Sequence, residues 1–131
     1  MRRKILGGSR CSVLIVEDEF VLAEDLLEEA ESRGFTVIGP APTLSAAFAL
    51  LDTAGVRTDA AILDVSLPDG QSFPLAERLM RDGIPFVFMT GYPASSLPAA
   101  FGHIPVFAKP FLAGAILDEV AALASQGTGS T

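Results

Sequence analysis

Four apolar runs of this sequence each end on side chains that can do chemistry. Glu17 and Asp18 follow the first run, Asp64 follows a later one, and Thr90 and Lys109 follow the last two. Short apolar runs of this kind are typical of strands buried in a parallel sheet, whose carboxyl ends meet at one edge. We therefore expect the five side chains to share one cleft, although they are distant in the sequence.

The chemistry that such a cleft would support is phosphoryl transfer. Three carboxylates packed together repel one another unless a cation lies among them. The pattern offers oxygen ligands and no nearby His or Cys, which favours Mg²⁺, with Mn²⁺ as the alternative. A metal ion and Lys109 would neutralise the charge that develops on the phosphoryl oxygens, and Thr90 would donate a hydrogen bond to them. Asp64 is then the predicted phosphoryl acceptor.

The elements that must position these residues alternate between strand and helix. The predicted strands are Ser12–Val16, Phe35–Gly39, Ala60–Leu63, Pro85–Met89 and Ile104–Ala108. The predicted helices are about 18–33 with Asp18 as a plausible N-cap, 43–54, 72–82 with Ser72 as N-cap, a weak helix within Pro93–Phe101, and Leu112–Ala124. Met80 and Leu112 are assigned to apolar, inward-facing positions. This alternation predicts an α/β domain with a doubly wound parallel sheet.

Length and charge limit the classes of protein to consider. The 131 residues predict a basic leader at 1–11, one domain at 12–125 and a flexible tail at 126–131. Four of the nine Lys and Arg residues lie in the leader, so five remain against sixteen acids, and the rest of the chain has a charge of −11. Such an acidic body argues against nucleic-acid binding and favours a basic partner surface or a bound cation.

Cysteine usage and hydropathy indicate a cytoplasmic protein. The single cysteine, Cys11, excludes an internal disulfide and fits a reducing compartment. The leader has no apolar core of the kind that a secretory signal requires, and no apolar run is long enough to span a membrane. We therefore expect a cytoplasmic domain without a membrane partner.

Four motifs carry a resemblance to a known family. They are Val16-Glu17-Asp18-Glu19, Leu63-Asp64-Val65-Ser66-Leu67-Pro68-Asp69-Gly70, Met89-Thr90-Gly91 and Ala108-Lys109-Pro110-Phe111. Each is weak alone, but together, in this order and at these strand ends, they are highly specific. From about Ser12 to Ala124 the chain resembles the receiver domains of two-component response regulators, the CheY-like superfamily. The resemblance implies a flavodoxin-like (βα)5 fold with strand order 2-1-3-4-5.

The resemblance also implies a role for each residue of the cleft. It implies that Asp64 is the phosphoacceptor and that Asp18 and Asp64 bind Mg²⁺ directly. Glu17 would assist through water, and the Ser66 carbonyl would complete the metal site. Lys109 would pair with the phosphate, and the Lys109–Pro110 peptide bond would be cis.

The switch region departs from the common pattern of the family. Receivers commonly have an aromatic residue three positions before the lysine, where this chain has Val106, and the neighbouring Phe107 should point to the opposite face. The switch hydroxyl Thr90 is followed by Gly91 and Tyr92, which resembles a variant group with a Phe-x-Thr-Gly-aromatic signature, often stand-alone. Gly91 permits unusual backbone angles. Tyr92 is expected to replace part of the missing aromatic's role.

Two classes of function follow. The first is a signalling module without catalytic turnover, phosphorylated by a histidine kinase or histidine phosphotransfer protein and acting on a downstream protein as a monomer or weak dimer. The second is a phosphatase of the haloacid dehalogenase type, which also uses an Asp nucleophile and Mg²⁺. That enzyme class needs Asp-x-Asp after its first strand, whereas Asp64-Val65-Ser66 follows the third strand here.

Overall fold

This computed structural model describes residues 11–129, which contain seven strands and four α-helices. The strands are β1 (Ser12–Val16), β2 (Thr36–Ala41), β3 (Ala60–Asp64), β4 (Ser66–Leu67), β5 (Gly70–Gln71), β6 (Phe86–Thr90) and β7 (Val106–Ala108). The helices are α1 (Phe20–Ser32), α2 (Leu44–Leu51), α3 (Phe73–Arg81) and α4 (Ala113–Gly129). The predicted leader, apart from Cys11, and positions 130–131 of the predicted tail lie outside the described residues.

Five strands form a parallel sheet in the order β2-β1-β3-β6-β7. Because β4 and β5 pair with each other in a separate hairpin, this order is the predicted 2-1-3-4-5. All five carboxyl ends therefore lie at one edge of the sheet. Within residues 11–129, no helix combines the length and the apolar character that crossing a membrane requires.

The sheet separates two apolar clusters. Helices α1 and α4 cover one face and contact Val13 and Ile15 of β1. Helices α2 and α3 cover the other face and contact Leu14 and Val16 of the same strand. Successive side chains of a strand point to opposite faces, so a continuous apolar run is needed where both faces are covered. This explains why every position of β3 is buried.

The predicted fourth helix is wrong, because the segment between β6 and β7 contains two short 3-10 turns instead. These turns are Ala94–Ser96 and Ala99–Phe101. Proline interrupts helical hydrogen bonding. The Ser96 hydroxyl also donates to the carbonyl of Pro93 at 2.7 Å, a local bond that competes with helix formation.

Strand β2 continues to Ala41, beyond its predicted end at Gly39. Its register against β1 shifts between Leu14 and Val16, and it accommodates Pro40 because it is an edge strand. Gly39 has a φ of +97°, and a Cβ there would lie 2.6 Å from the backbone nitrogen of Ala41. Only glycine fits this bend.

Two further boundaries differ from prediction. Strand β7 begins at Val106 rather than Ile104, because Pro105 has no N–H to donate to a ladder. Helix α4 continues to Gly129 rather than ending near Ala124, because no strong helix breaker follows at once. Part of the predicted tail is therefore helical.

Two predicted capping interactions and two predicted inward-facing positions are also wrong. The N-cap of α1 is Glu19 rather than Asp18, and its side chain makes no capping bond. Ser72 precedes α3 with φ −82° and ψ 8°, outside the extended conformation that brings a side-chain oxygen to the first turn, so its hydroxyl does not cap. Met80 and Leu112 are 41% and 78% exposed, and Leu112 lies before the first turn of α4.

Candidate functional site

The carboxyl edge of the sheet forms an open cleft of about 560 Å³. It is lined by the five predicted strand-end residues, Glu17, Asp18, Asp64, Thr90 and Lys109, together with Glu19, Ser66, Gly91 and Tyr92. Asp64 and Thr90 are the last residues of β3 and β6, and both are buried. The parallel topology therefore brings together side chains from the ends of four strands, as the sequence predicts.

Lys109 pairs with two carboxylates of the cleft. Its Nζ lies 2.8 Å from Oδ2 of Asp64 and 3.5 Å from Oε1 of Glu17. Burial lowers the pKa of Lys109, but the hydrogen bond and charge of Asp64, with a smaller contribution from Glu17, outweigh it and raise the pKa overall. The side chain is therefore an ammonium at neutral pH.

Glu17 is one of two buried acids in the described cleft, and its side chain has no exposed surface. The Glu17 N–H donates to the carbonyl of Ala41 at 3.0 Å, a bond that the shifted register of β2 permits. Its Oε2 accepts the N–H of Glu19 at 2.9 Å, whereas Oε1 has no hydrogen-bond partner among the described residues. Burial, with repulsion from Asp64, raises the pKa of Glu17 to about 7, although the Glu19 hydrogen bond and Lys109 lower it.

Glu17, Asp18 and Asp64 form an acidic cluster that fits a divalent cation. One carboxylate oxygen from each of Glu17, Asp18 and Asp64 lies within 4.8 Å of the others. Asp18 is exposed, which leaves the cluster open on one side. An all-oxygen donor set with a buried oxygen that lacks a hydrogen-bond partner suits a hard cation such as Mg²⁺.

The β4–β5 hairpin places Ser66 in the lining of the same cleft. The N–H of Ser66 donates to Oδ1 of Asp64 at 3.2 Å, and Ser66 lies opposite Gln71. At the adjacent position, the N–H of Ser72 donates to the carbonyl of Val65 at 2.9 Å. Because hydrogen-bonded and non-bonded pairs alternate in an antiparallel ladder, the Ser66 carbonyl is left out of the ladder. The chain breakers Pro68 and Gly70 predict a loop after Asp64, whereas the structure has a short hairpin there.

Thr90 is held by two backbone contacts. Its Oγ1 accepts the N–H of Tyr92 at 2.9 Å, and its carbonyl accepts the N–H of Lys109 at 2.8 Å. The hydroxyl proton is thereby left to donate to a ligand.

Tyr92 lines the cleft but is 62% exposed. Gly91 does not have a positive φ, and an added Cβ would meet no atom within 4 Å, so the conformational freedom of glycine is not used here.

A buried aromatic residue lies near the position where the usual strand aromatic is missing. As expected from strand alternation, Val106 faces the α2 and α3 cluster, whereas Phe107 faces the α1 and α4 cluster. The ring centroid of Phe101 lies 5.6 Å from that of Phe73 and 5.5 Å from that of Phe88. Phe101 is buried, and it is a large aromatic in a segment otherwise rich in Pro, Ala and Ser.

Comparison with known sequences finds two relatives of similar identity. The chain is 34% identical over 114 residues to the sensor kinase CckA of Brucella abortus, covering 81% of this chain and 12% of the relative. It is 32% identical over 113 residues to the regulator PhyR of Methylorubrum extorquens, covering 83% of this chain and 42% of the relative. The chain thus spans less than half the length of either relative. No family model matches the sequence.

Comparison with solved structures finds chains that are covered almost completely by this one. SdrG of Sphingomonas melonis Fr1 is 37% identical, with a TM-score of 0.72 and coverage of 88% of this chain and 97% of that one. The receiver domain of HemR from Leptospira biflexa is 30% identical, with a TM-score of 0.73 and coverage of 88% and 95%. With this similarity, the observed strand order and the acidic cleft at the sheet edge, the chain belongs to the receiver domains of two-component response regulators.

Proposed function

We propose that this domain signals through phosphorylation of Asp64. The observation that carries the proposal is the clustering of three carboxylates with Lys109 at the carboxyl edge of the sheet. Within that cluster, Asp64 is the acid whose two oxygens contact both the ammonium of Lys109 and the N–H of Ser66. Its carboxylate is therefore oriented by neighbours that can stabilise a new anionic group.

In the proposed reaction, one carboxylate oxygen of Asp64 attacks the phosphorus of the donor. The new P–O bond forms while the bond to the leaving group breaks, and the leaving group keeps the electron pair. Lys109 moves its hydrogen bond from the carboxylate to a phosphoryl oxygen, and Thr90 donates its hydroxyl proton to another. Mg²⁺ or Mn²⁺, held directly by Asp18, Asp64 and the Ser66 carbonyl and through water by Glu17, would supply positive charge to the phosphoryl oxygens.

The proposed donor is a phosphohistidine of a histidine kinase or of a histidine phosphotransfer protein. The description of one relative as a sensor kinase and of another as a regulator supports this assignment. The output is a changed surface that a downstream protein recognises. We place this exchange in the cytoplasm, which the single cysteine favours, and assign the domain a monomeric or weakly dimeric state.

Tyr92 is the proposed reporter of phosphorylation. When Thr90 bonds the phosphoryl group, it pulls on the turn that contains Gly91, and Tyr92 is attached to Thr90 through its own N–H at 2.9 Å. Val106 is too small for the role that an aromatic residue has at that position in other receivers. The ring of Tyr92 at the mouth of the cleft also narrows the path of a hydrolytic water.

The phosphatase alternative has no support. The nucleophile candidate ends the third strand of the sheet in sequence order, and the second residue after it is Ser66 rather than Asp. The segment that follows is a hairpin of two residues per strand. The solved structures that resemble this chain include receiver domains.

Incubation with acetyl phosphate and Mg²⁺, followed by intact mass measurement, tests the proposal. The parent should gain about one phosphoryl group and release acetate, whereas Asp64→Asn should gain none. Asp25→Asn, an exposed acid of α1, is the matched control and should label like the parent. Normal labelling of Asp64→Asn would refute the assignment, and continuous release of phosphate by the parent would favour an enzyme.

A further inference from the structure

We propose that Asp69 is a positioning residue for the metal site. It clamps the β4–β5 hairpin to the N-terminus of α2 and thereby fixes the peptide of Ser66, whose carbonyl is a proposed ligand of the cation. The inference rests on the proposed Mg²⁺-dependent phosphorylation and concerns residues outside the acidic cluster.

The clamp consists of two hydrogen bonds from the first turn of a helix. Oδ1 of Asp69 accepts the N–H of Leu44 at 2.8 Å, and Oδ2 accepts the N–H of Ser45 at 3.0 Å. Such N–H groups have no partner within their own helix, and the helix dipole favours a negative charge beside them. The two bonds lower the pKa of Asp69, so the side chain is an anion at neutral pH. One carboxylate thus joins two segments that are distant in the sequence.

The hairpin needs such an attachment because it is very short. It has two residues in each strand, Ser66 opposite Gln71 and Leu67 opposite Gly70. Isolated hairpins, even longer ones, are marginally stable in water. Its turn lies close to α2, since a Cβ on Gly70 would be 3.5 Å from Cδ1 of Leu44. Besides the buried side chain of Leu67, the Asp69 carboxylate is therefore what secures the turn.

The turn is coupled to the cation site through Ser66. This residue is adjacent to the turn, its N–H bonds Oδ1 of Asp64, and its carbonyl lies outside the ladder. A tilt of the hairpin would therefore displace the Ser66 carbonyl, a proposed ligand of the cation. It would also disturb the hydrogen bond by which the Ser66 N–H orients Asp64, another proposed ligand. Mg²⁺ tolerates such displacement poorly because it requires near-ideal octahedral geometry.

Titration of the metal-free protein with MgCl2 tests the inference. The chain contains a single tyrosine and no tryptophan, so Tyr92 fluorescence reports from the cleft, and calorimetry provides an independent measurement. Asp69→Ala should raise the Kd for Mg²⁺ by about tenfold, the usual effect of losing a group that orients a ligand. Asp69→Asn keeps one oxygen acceptor and should recover part of the affinity.

The matched control is Thr43→Val at the same helix end. Oγ1 of Thr43 accepts the N–H of Ala46 at 3.0 Å and does not bond the hairpin. This variant should lose thermal stability as Asp69→Ala does, because both remove an N-terminal partner of α2. Its Kd for Mg²⁺ should nevertheless stay within about twofold of the parent, since metal affinity follows the orienting contacts of the ligands.

The outcomes separate the inference from the proposed function. An unchanged Kd for Asp69→Ala overturns the inference, and so does an equal rise in both Asp69→Ala and Thr43→Val, because the effect would then come from helix stability alone. If the parent binds no Mg²⁺ at millimolar concentrations and Asp18→Ala gives the same flat titration, the proposed function fails and the inference fails with it. If Asp69→Ala does not fold, as judged by circular dichroism, Asp69→Asn decides. A Kd above that of the parent, by less than about tenfold, supports the inference, and a Kd equal to that of the parent overturns it.

Discussion

Lys109 donates from Nζ to Oδ2 of Asp64 at 2.8 Å, so the proposed phosphate partner is paired with the proposed acceptor before any phosphoryl group arrives. The other oxygen of Asp64 accepts the N–H of Ser66. Phosphorylation therefore exchanges one ion pair for another rather than bringing a distant lysine into the cleft. The ammonium also offsets part of the repulsion within the acidic cluster.

Lys109→Met should separate metal binding from phosphorylation. Without the ammonium, the negative charge of the transferred group is less well stabilised, and labelling by acetyl phosphate should slow by at least about tenfold. The affinity for Mg²⁺ should not fall, because a positive charge near the cation is removed. Arg81→Met, which removes an exposed positive charge elsewhere, is the control. Labelling of Lys109→Met at the parent rate would contradict this role.

Asp18→Ala should weaken Mg²⁺ binding by more than about tenfold and abolish labelling. The metal-free variant should melt at the same temperature as the parent or higher, because removing one acid relieves like-charge repulsion. Calorimetric titration and thermal melts in chelator measure the two effects. The metal assignment is wrong if chelator leaves labelling of the parent unchanged.

Glu17 should make Mg²⁺ binding depend on pH. Burial raises the pKa of this carboxyl from 4.5 to about 7. Since a cation requires the deprotonated carboxylate, the Kd for Mg²⁺ should rise as the pH falls below about 7. Titrations between about pH 6 and pH 8 measure this, and Glu17→Gln should show a flatter profile. Identical profiles for the two proteins would assign the pH dependence to another group.

The same carboxyl should affect the stability of the metal-free protein. Between pH 4.5 and about 7 the folded state retains a proton that the unfolded chain has released. The contribution of Glu17 to the free energy of unfolding is therefore greatest below pH 4.5 and declines as the pH rises to about 7. The decline is at most about 3 kcal/mol. Urea unfolding across this range should show it in the parent and not in Glu17→Gln.

Tyr92→Ala should shorten the lifetime of the aspartyl phosphate, because a small side chain opens the path of the hydrolytic water. It should also reduce the change in amide exchange of residues 91–105 when the phosphoryl mimic beryllofluoride binds. Tyr92→Phe keeps the ring and should behave like the parent. The proposed role fails if Tyr92→Ala keeps the parent's lifetime and exchange pattern while Phe107→Ala abolishes the change.

The strand-end residues were predictable from the apolar runs that precede them and from the parallel topology of the predicted sheet. The run Ala60–Leu63 is apolar throughout, which indicates a strand covered on both faces, and Asp64 is the first residue that such a strand can place at the sheet edge. The same reasoning applies to Thr90. Parallel topology then determines that these residues meet, without any knowledge of loop conformation.

The features that were missed depend on contacts between distant segments. Strand β2 extends to Ala41 because the Glu17 N–H bonds the carbonyl of Ala41, a contact that cannot be inferred from residues 35–42 alone. The Asp69 clamp needs the position of α2 relative to the hairpin. An Asp-Gly pair predicts a tight turn, but the turn alone does not show what its carboxylate will bind.

The segment between β6 and β7 is attached to the core by few side chains. Of those described between Gly91 and Pro105, Phe101 is the only one that is buried, at 3% exposed. Exposed positions accept substitution at little cost in folding free energy. Duplicated genes for such a domain can therefore diverge in this segment, and acquire different partners, while Phe101 and the chemistry of the cleft stay constant.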